Sequence, residues 1–182
     1  MKLIKRIFIV IALIVALVYL VIIPYIHQEA KKFSPAKTAQ LELKGSSLEV
    51  EYSSPSKKGR IIFGDLVPFG KVWRTGANEP TTFSTTQNIK IIDKILPAGK
   101  YSLWTVPNRN SWKVIFNTQI PDWGVTRVDG NQTTHDPRFD YLTVEVPVKT
   151  LENPVENFSI DFEHLKEGIQ QQDYLDLAWD TT

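Results

Sequence analysis

The chain has 182 residues, with 21 basic and 20 acidic side chains, a formal net charge of +1 and no cysteine. The balanced charge provides no basic field for nucleic acid, and the absence of cysteine excludes disulfides and a lipoprotein acceptor thiol. After the apolar N-terminal region about 140 residues remain, which fits one domain that buries its own core.

A short basic tail, residues 1–6, precedes an almost unbroken apolar run that begins at Ile7 and ends at Ile26. This run has the roughly 20 residues that a transmembrane helix needs. No small-residue cleavage site follows it, so we predict an uncleaved signal anchor in the lipid bilayer, with a cleaved signal peptide as the alternative. The basic tail favours a single-pass protein of the cell membrane with a cytoplasmic N-terminus and a periplasmic or extracellular C-terminal domain.

Residues 27–40 turn polar and contain a proline, which is typical of a linker, and residues 41–182 are the predicted domain. Short segments of alternating apolar and polar residues, separated by turn signals, recur through it. No segment of it carries a 3.6-residue apolar repeat. We therefore predict an all-β fold, a two-sheet β-sandwich of about eight to nine strands preceded by one transmembrane helix.

Two β-rich runs, residues 100–106 and 111–116, are separated by four polar loop residues and predict a hairpin. Trp112, Val114 and Phe116 alternate along the second run, so they are expected to face the core together. A later run ends near Pro147, which indicates that this strand is at a sheet edge or ends there.

The densest polar stretch is residues 71–83, which contains Arg74, Asn78 and Glu79 around the turn former Gly76. If the backbone is extended, the preceding tryptophan and Arg74 point to opposite faces. One interpretation is a structural ion pair of a half-buried Arg74 with Glu79 or Asp65. The other is a ligand site in which Arg74 binds an anion.

Several motifs resemble an uncharacterised bacterial family, the domain of unknown function numbered 2911. The most specific is the string Trp73-Arg-Thr-Gly-Ala-Asn-Glu79, and the others lie in residues 52–60, 63–72, 96–103, 112–117 and 123–124. The resemblance covers nearly the whole domain and implies a compact β-rich extracytoplasmic domain. It implies no activity. Residues 125–136 depart from the family pattern, so a function of that loop would be specific to this protein.

Metal ligands are sparse. The three histidines, His27, His135 and His164, are far apart in sequence, so no metal site is predicted. A calcium-like spacing of Asp129, Asn131, Thr133 and Asp140 lacks the glycine that the sharp turn requires, which favours a solvated loop.

The sequence also lacks a nucleophile elbow and a phosphate-binding glycine loop, so no cofactor is predicted. Five tryptophans raise the possibility of ligand stacking, and Trp123, beside a glycine in an irregular stretch, is the best candidate for exposure.

Two functions remain open. The first is a membrane-anchored β-sandwich that binds a small-molecule, glycan or protein ligand of the cell envelope without catalysis. The alternative is an envelope enzyme, hydrolase-like, that uses a polar pocket around Arg74 and Glu79. The candidate ligand-binding residues are Arg60, Arg74, Asn78, Glu79 and Trp123.

Overall fold

The computed structural model describes residues 2–43, 45–125, 133–167 and 170–182, and the chain divides into two compact units, Met1–Phe33 and Ser34–Thr182. The first unit is helical: α1 (Lys2–Leu17), a π-helical segment (Val18–Ile22) and α2 (Ile23–Phe33). Over residues 3–33 the mean hydropathy of its most apolar window is 3.3, so by length and composition this helix could cross a membrane.

The π-helical segment lies just before Pro24, which has no N–H group and cannot complete the regular α-helical ladder. The N–H of Ile23 instead bonds the carbonyl of Val18, five residues back. The helix continues through Pro24 because this wider turn accommodates the ring.

Within the described residues, the second unit contains ten strands. They are β1 (Ala36–Leu43), β2 (Ser46–Ser53), β3 (Thr81–Thr85), β4 (Ile89–Ile91), β5 (Lys94–Leu96), β6 (Gly99–Val106), β7 (Ser111–Asn117), β8 (Asp140–Pro147), β9 (Val155–Glu167) and β10 (Gln170–Asp180). A 3₁₀ turn, Pro137–Phe139, precedes β8. The domain is therefore strand-rich behind one apolar helix, as predicted.

Six strands form an antiparallel sheet in the order β1-β2-β3-β6-β7-β8, while β9 with β10 and β4 with β5 form two smaller sheets. This arrangement is consistent with the predicted β-sandwich. β8 is an edge strand that ends at Pro147, as the proline indicated. β1 begins at Ala36, inside the segment interpreted as a linker, and pairs along its whole length with β2.

Residues 60–63 are a short apolar run that forms turns rather than a strand. Leu66 N–H bonds the carbonyl of Ile61 at 3.3 Å and Val67 N–H bonds that of Ile62 at 2.9 Å. The run pairs with the residues that follow it, through one bridge between Phe63 and Val67, rather than with a neighbouring strand. Its apolar composition reflects burial of Ile62 and Val67, which a turn achieves as well as a strand.

The strand register defines two ends of the large sheet. We call the entry end the one at which the chain enters the domain; it contains Ala36, Ser53, Thr81, Val106, Ser111 and Pro147. The far end contains the turn between β1 and β2, the strands β4 and β5, and the points at which β7 ends and β8 begins. This division positions every loop discussed below.

One face of the large sheet carries the main core. Trp112, Val114 and Phe116 are all buried in it, which confirms the predicted shared face of the hairpin. The β9–β10 ribbon covers this face with Phe158 and Trp179, among other side chains. The contacts are largely aromatic, with ring centroids 6.0 Å apart for Trp73 and Trp179, 5.1 Å for Trp73 and Phe158, and 4.9 Å for Phe63 and Trp112.

We call the opposite face of β6 and β7 the outer face. It carries Ser102, Trp104, Ile115 and Asn117, all buried. Part of the irregular segment between β7 and β8 covers it, since the ring of His135 lies 5.4 Å from that of Trp104, centroid to centroid. The large sheet is therefore closed on both faces where β6 and β7 run.

Candidate functional site

Arg74 is placed on the outer face by the strand next to it. The N–H of Trp73 bonds the carbonyl of Thr105 at 2.7 Å, and the N–H of Thr105 bonds the carbonyl of Trp73 at 3.0 Å. Trp73 enters the aromatic core, so alternation directs Arg74 to the other side of the sheet. The two neighbours therefore divide between the faces as the sequence suggested.

A tight buried turn follows Arg74. Thr75 and Asn78 both adopt left-handed backbone angles, with φ of 57° and 59°, and for a β-branched residue such as Thr75 this conformation is strained. Thr81 Oγ1 donates to the carbonyl of Thr75 at 2.6 Å. Gly76 is required, because a Cβ there would lie 2.8 Å from the carbonyl oxygen of Ser53. The turn is thus held in one conformation and fixes the backbone of Arg74.

Asn78 is buried, and its contacts are those of a structural residue. Its amide donates to the carbonyl of Ser34 at 3.3 Å and to Ser53 Oγ at 3.5 Å. Its carbonyl accepts from the N–H of Gly124 at 3.0 Å. Glu79, the next residue, is only partly exposed. The turn is therefore joined to both the start of the domain and the segment after β7.

The side chain of Arg74 is partly buried, as expected, but its predicted ion pair is not found. Among the described residues no ion pair joins Arg74 to Glu79 or Asp65, and Arg74 Nε is buried without a hydrogen-bond partner. The reason is its direction. The chain of Arg74 runs across Gly124, where a Cβ would lie 2.3 Å from Arg74 Cδ, while Asp65 is exposed in the turn after Phe63.

Burial lowers the pKa of Arg74 from its ordinary value, because removing a guanidinium from water disfavours its charged form. The group nevertheless stays protonated at any working pH. A charged donor that is desolvated and unsatisfied at Nε is costly for folding alone. An anion would satisfy Nε once the covering segment at Gly124 moved aside to admit it.

A hydrogen-bonded network on the outer face lies at the far end of β6, β7 and β8. Asn117 donates to Asp140 Oδ1 at 2.8 Å and to the carbonyl of Asp136 at 2.8 Å, and its Oδ1 accepts from the N–H of Gln119 at 2.8 Å. Asp140 Oδ1 also contacts His135 Nε2 at 2.7 Å. We call these residues the Asn117 network. The sequence pattern singles out His135 and Asp140 but not Asn117. The sequence feature that marks Asn117 is an amide side chain at the end of an otherwise apolar run.

A histidine bonded to a carboxylate can serve as an acid or base, so a nearby nucleophile would be informative. One hydroxyl on this face is that of Ser102, which donates to the carbonyl of Gln119 at 2.6 Å and accepts from Trp104 Nε1 at 2.8 Å. The hydroxyl donor and its acceptor are both used in hydrogen bonds within the outer face. The network therefore resembles a structural clamp more than a catalytic set.

The segment after β7 connects the Asn117 network to Arg74. Thr134 N–H bonds the carbonyl of Gly124 at 3.2 Å, and Thr134 Oγ1 donates to the carbonyl of Trp123 at 2.7 Å. Trp123 is half-buried rather than fully exposed. The segment thus positions Gly124 over Arg74 and His135 over the outer face at the same time.

The remaining sequence candidates lie elsewhere or outside the described residues. Arg60 is exposed, and its guanidinium donates to the carbonyls of Lys57 at 2.9 Å and Ser56 at 2.5 Å. Asp129 and Asn131, part of the calcium-like spacing, lie outside the described residues. Within the described ranges, no group of three or more histidine or acidic side chains is placed to hold a metal ion.

Comparison with known proteins adds family membership. No curated protein and no solved structure matches the chain. The family described as a protein of unknown function, DUF2911, matches residues 34–182, which is the whole strand-rich unit. The chain therefore belongs to the DUF2911 family.

Proposed function

We propose that this protein is a membrane-anchored binding domain of the cell envelope whose ligand presents an anionic group to Arg74, and that it acts without catalysis. The observation that carries the proposal is the buried Arg74 Nε, which has no hydrogen-bond partner. A ligand that requires this arginine would explain a charged group in a place where folding gains nothing from it.

The ligand class follows from the geometry of a guanidinium. Arginine binds carboxylates and phosphates through two parallel N–H groups, and Nε is one member of such a pair. The turn that holds Arg74 is buried and hydrogen-bonded, so the group is preorganised rather than flexible. A small-molecule, glycan or protein ligand with a carboxylate or phosphate would satisfy Nε.

Absence of catalysis is the simpler of the two hypotheses. The hydrolase alternative needs a polar pocket into which Arg74 and Glu79 converge, whereas the side chain of Arg74 runs across Gly124. The hydroxyl of Ser102 is fully engaged in hydrogen bonds. A binding role needs only Arg74 and its rigid turn.

Anion binding can be tested on the full-length protein in detergent. Succinate, glucuronate and inorganic phosphate would be titrated at constant ionic strength, with glucose as the neutral probe, and the melting temperature followed. We expect a saturable rise with at least one anion and none with glucose. Arg74→Met should weaken it at least about tenfold, since hydrogen bonds to charged groups contribute about 1.5–3 kcal/mol.

Arg138→Met is the matched control, because the side chain of Arg138 is 81% exposed and already paired with Asp136. It should leave the anion response intact. An unchanged response in Arg74→Met, or equal losses in the two variants, would contradict a specific role for Arg74.

The anchor is tested separately. We expect the mature protein to retain its N-terminus and to resist extraction from membranes by carbonate, because the apolar helix is long enough to span them. N-terminal sequencing that finds a start near Lys31 would show cleavage and remove the anchor from the proposal.

A further inference from the structure

The loop between β2 and β3 exposes apolar side chains that the fold does not use. Ile61 is 68% exposed and Leu66 is 45% exposed. They are neighbours, since Leu66 N–H bonds the carbonyl of Ile61 at 3.3 Å. Their buried partners in the same loop, Ile62 and Val67, already fill the core. Grouped apolar exposure of this kind is typical of an interaction surface.

Three exposed cations, Arg60, Lys71 and Arg109, lie in the same loop and in the neighbouring turn, against one exposed carboxylate, Asp65, beside Leu66. Arg109 lies over the ring of Phe69, and that ring packs on Gly64, so the neighbouring turn is tied to the loop. In the part of the chain that the structure describes, none of the three cations forms an ion pair with a carboxylate. The surface therefore combines exposed apolar groups with positive charge.

This surface lies at the entry end of the sheet. The loop leaves β2 at Ser53, which pairs with Ala36, and Ser54 N–H bonds the carbonyl of Pro35 at 2.9 Å. Its other side is held by the bond from Gly70 N–H to the carbonyl of Pro107 at 2.9 Å, just after β6 ends. The loop and the point at which the chain enters the domain are thus at the same end.

The chain that enters there comes directly from the apolar helix. Only Ser34 and Pro35 separate the last helical residue, Phe33, from β1. If the helix spans a bilayer up to Ile26, nine residues, 27–35, separate the membrane from β1 and tether the domain to it at this end. A weak surface affinity is then strongly populated, because the tether supplies a high effective concentration.

We propose that the loop carrying Ile61 and Leu66 docks on the bilayer that holds the N-terminal helix. The two apolar side chains enter the interfacial region, and Arg60, Lys71 and Arg109 bind the phosphates of anionic lipids. Apolar groups rimmed by basic ones suit such a surface, which offers hydrocarbon below and negative charge above. This inference rests on the membrane anchor of the proposed function, but not on anion binding by Arg74.

The absence of cysteine makes a direct test possible, because one introduced cysteine gives one labelled site. Ile61→Cys would be labelled with an environment-sensitive nitrobenzoxadiazole probe in the full-length protein, reconstituted into phosphatidylcholine vesicles containing phosphatidylglycerol. The matched control is Ile95→Cys, an exposed isoleucine (56%) in β5 at the far end. Thermal melts of the unlabelled variants check that both fold.

We expect a blue shift and quenching by a headgroup-depth lipid quencher at position 61, and water-like emission at position 95. Replacing Arg60, Lys71 and Arg109 together by glutamine should reduce the blue shift, as should omitting phosphatidylglycerol. Flotation of the vesicles tests the membrane anchor separately from the docking of the loop. A protein that does not float with them lacks the proposed anchor.

A protein that floats while position 61 stays water-like overturns the docking proposal and leaves the anchor standing. A blue shift at position 61 that is insensitive to the lipid quencher and grows with protein concentration also overturns it, because it identifies a protein partner, such as a second copy, on this loop.

Discussion

The two faces of β6 and β7 are buried by different means. On the core face, Leu103, Val114 and Phe116 pack against the aromatic ribbon of β9 and β10. On the outer face, Trp104 and Ile115 lie beside Ser102 and Asn117. Polar groups of the covering segment accept hydrogen bonds from the side chains of Ser102 and Asn117. One face is closed by apolar packing and the other by hydrogen bonds around a small apolar centre.

The difference shows what each face can do. Apolar packing tolerates no charge but needs no particular partner, so the core face is stable and chemically inert. A face closed by hydrogen bonds requires each partner to be present, and it can hold a charged group such as Arg74 beside the sheet. The binding proposed for Arg74 belongs to the outer face, and the following variants test the contrast between the two faces.

Val114→Asp should have the largest effect. Val114 is buried in the core face, where a carboxylate would find no cation, so we expect a loss of about 4 kcal/mol or more in the free energy of unfolding. Denaturant melts measure it. Lys113→Asp, exposed on the same strand, is the control and should cost no more than about 1 kcal/mol. Similar losses for the two variants would reject the face assignment.

Asn117→Ala should come next. Asn117 is 1% exposed, and its loss removes the acceptor of the Gln119 N–H. The carbonyl of Asp136 then keeps the N–H of Phe139, and the carboxylate of Asp140 keeps His135, but each loses its bond from Asn117. We expect about 2–3 kcal/mol of destabilisation, because each unsatisfied buried group costs about 1–3 kcal/mol and some regain water.

Thr118→Ala serves as the control for Asn117→Ala, since the exposed Thr118 makes one side-chain bond, to the carbonyl of Phe139 at 3.1 Å. Hydrogen exchange would add a local readout, with faster exchange of the Gln119 amide in Asn117→Ala. An amide that stays protected would mean that the network is not what closes the outer face.

The core face could be predicted from sequence because its signal is local. Alternation of Trp112, Val114 and Phe116 gives the face directly, and Pro147 gives the sheet edge. The apolar N-terminal helix is predicted by length and composition alone. The burial of the second face leaves no such pattern, since a lysine, Lys113, interrupts the run on that side.

The site was only partly predictable for the same reason. The sequence singles out Arg74, but nearness in sequence suggested Glu79 as its partner. The structure closes the backbone by a bond from Thr81 N–H to the carbonyl of Arg74, and directs the side chain to Gly124, far along the chain. Contacts of this kind arise from tertiary packing, which no local pattern contains.

Gly124→Ala tests that contact and should have an intermediate effect. The added Cβ would lie 2.3 Å from Arg74 Cδ and 3.1 Å from the carbonyl of Asn78, so we expect about 1–2 kcal/mol of destabilisation. Arg74→Ala in the same chain removes the side-chain clash. The double variant should therefore lose less than the sum of the single variants, and a double-mutant cycle measures the difference. Additive effects would mean that Gly124 and Arg74 are not in contact.

The smallest effect concerns Asp136, at the surface beside the Asn117 network. Side-chain hydrogen bonds from Arg138, and then the Arg138 backbone N–H, lower the pKa of Asp136 from its ordinary 3.8 to about 2. A folded-state pKa below the unfolded value means that ionised Asp136 stabilises the fold above about pH 4. The contribution is lost as pH falls through about 2.

Thermal melts between pH 2 and pH 5 should therefore fall less steeply in Arg138→Gln than in the parent. Because other carboxylates titrate in the same window, the difference between the two proteins is the informative quantity, and an NMR titration of the Asp136 carboxyl assigns it. The backbone carbonyl of Asp136 accepts from Asn117 whether or not its side chain is ionised. If Arg138→Gln also increased the exchange rate of the Gln119 amide, the surface pair of Asp136 and Arg138 would contribute to closing the outer face. The surface pair and the buried Asn117 network would then not be independent.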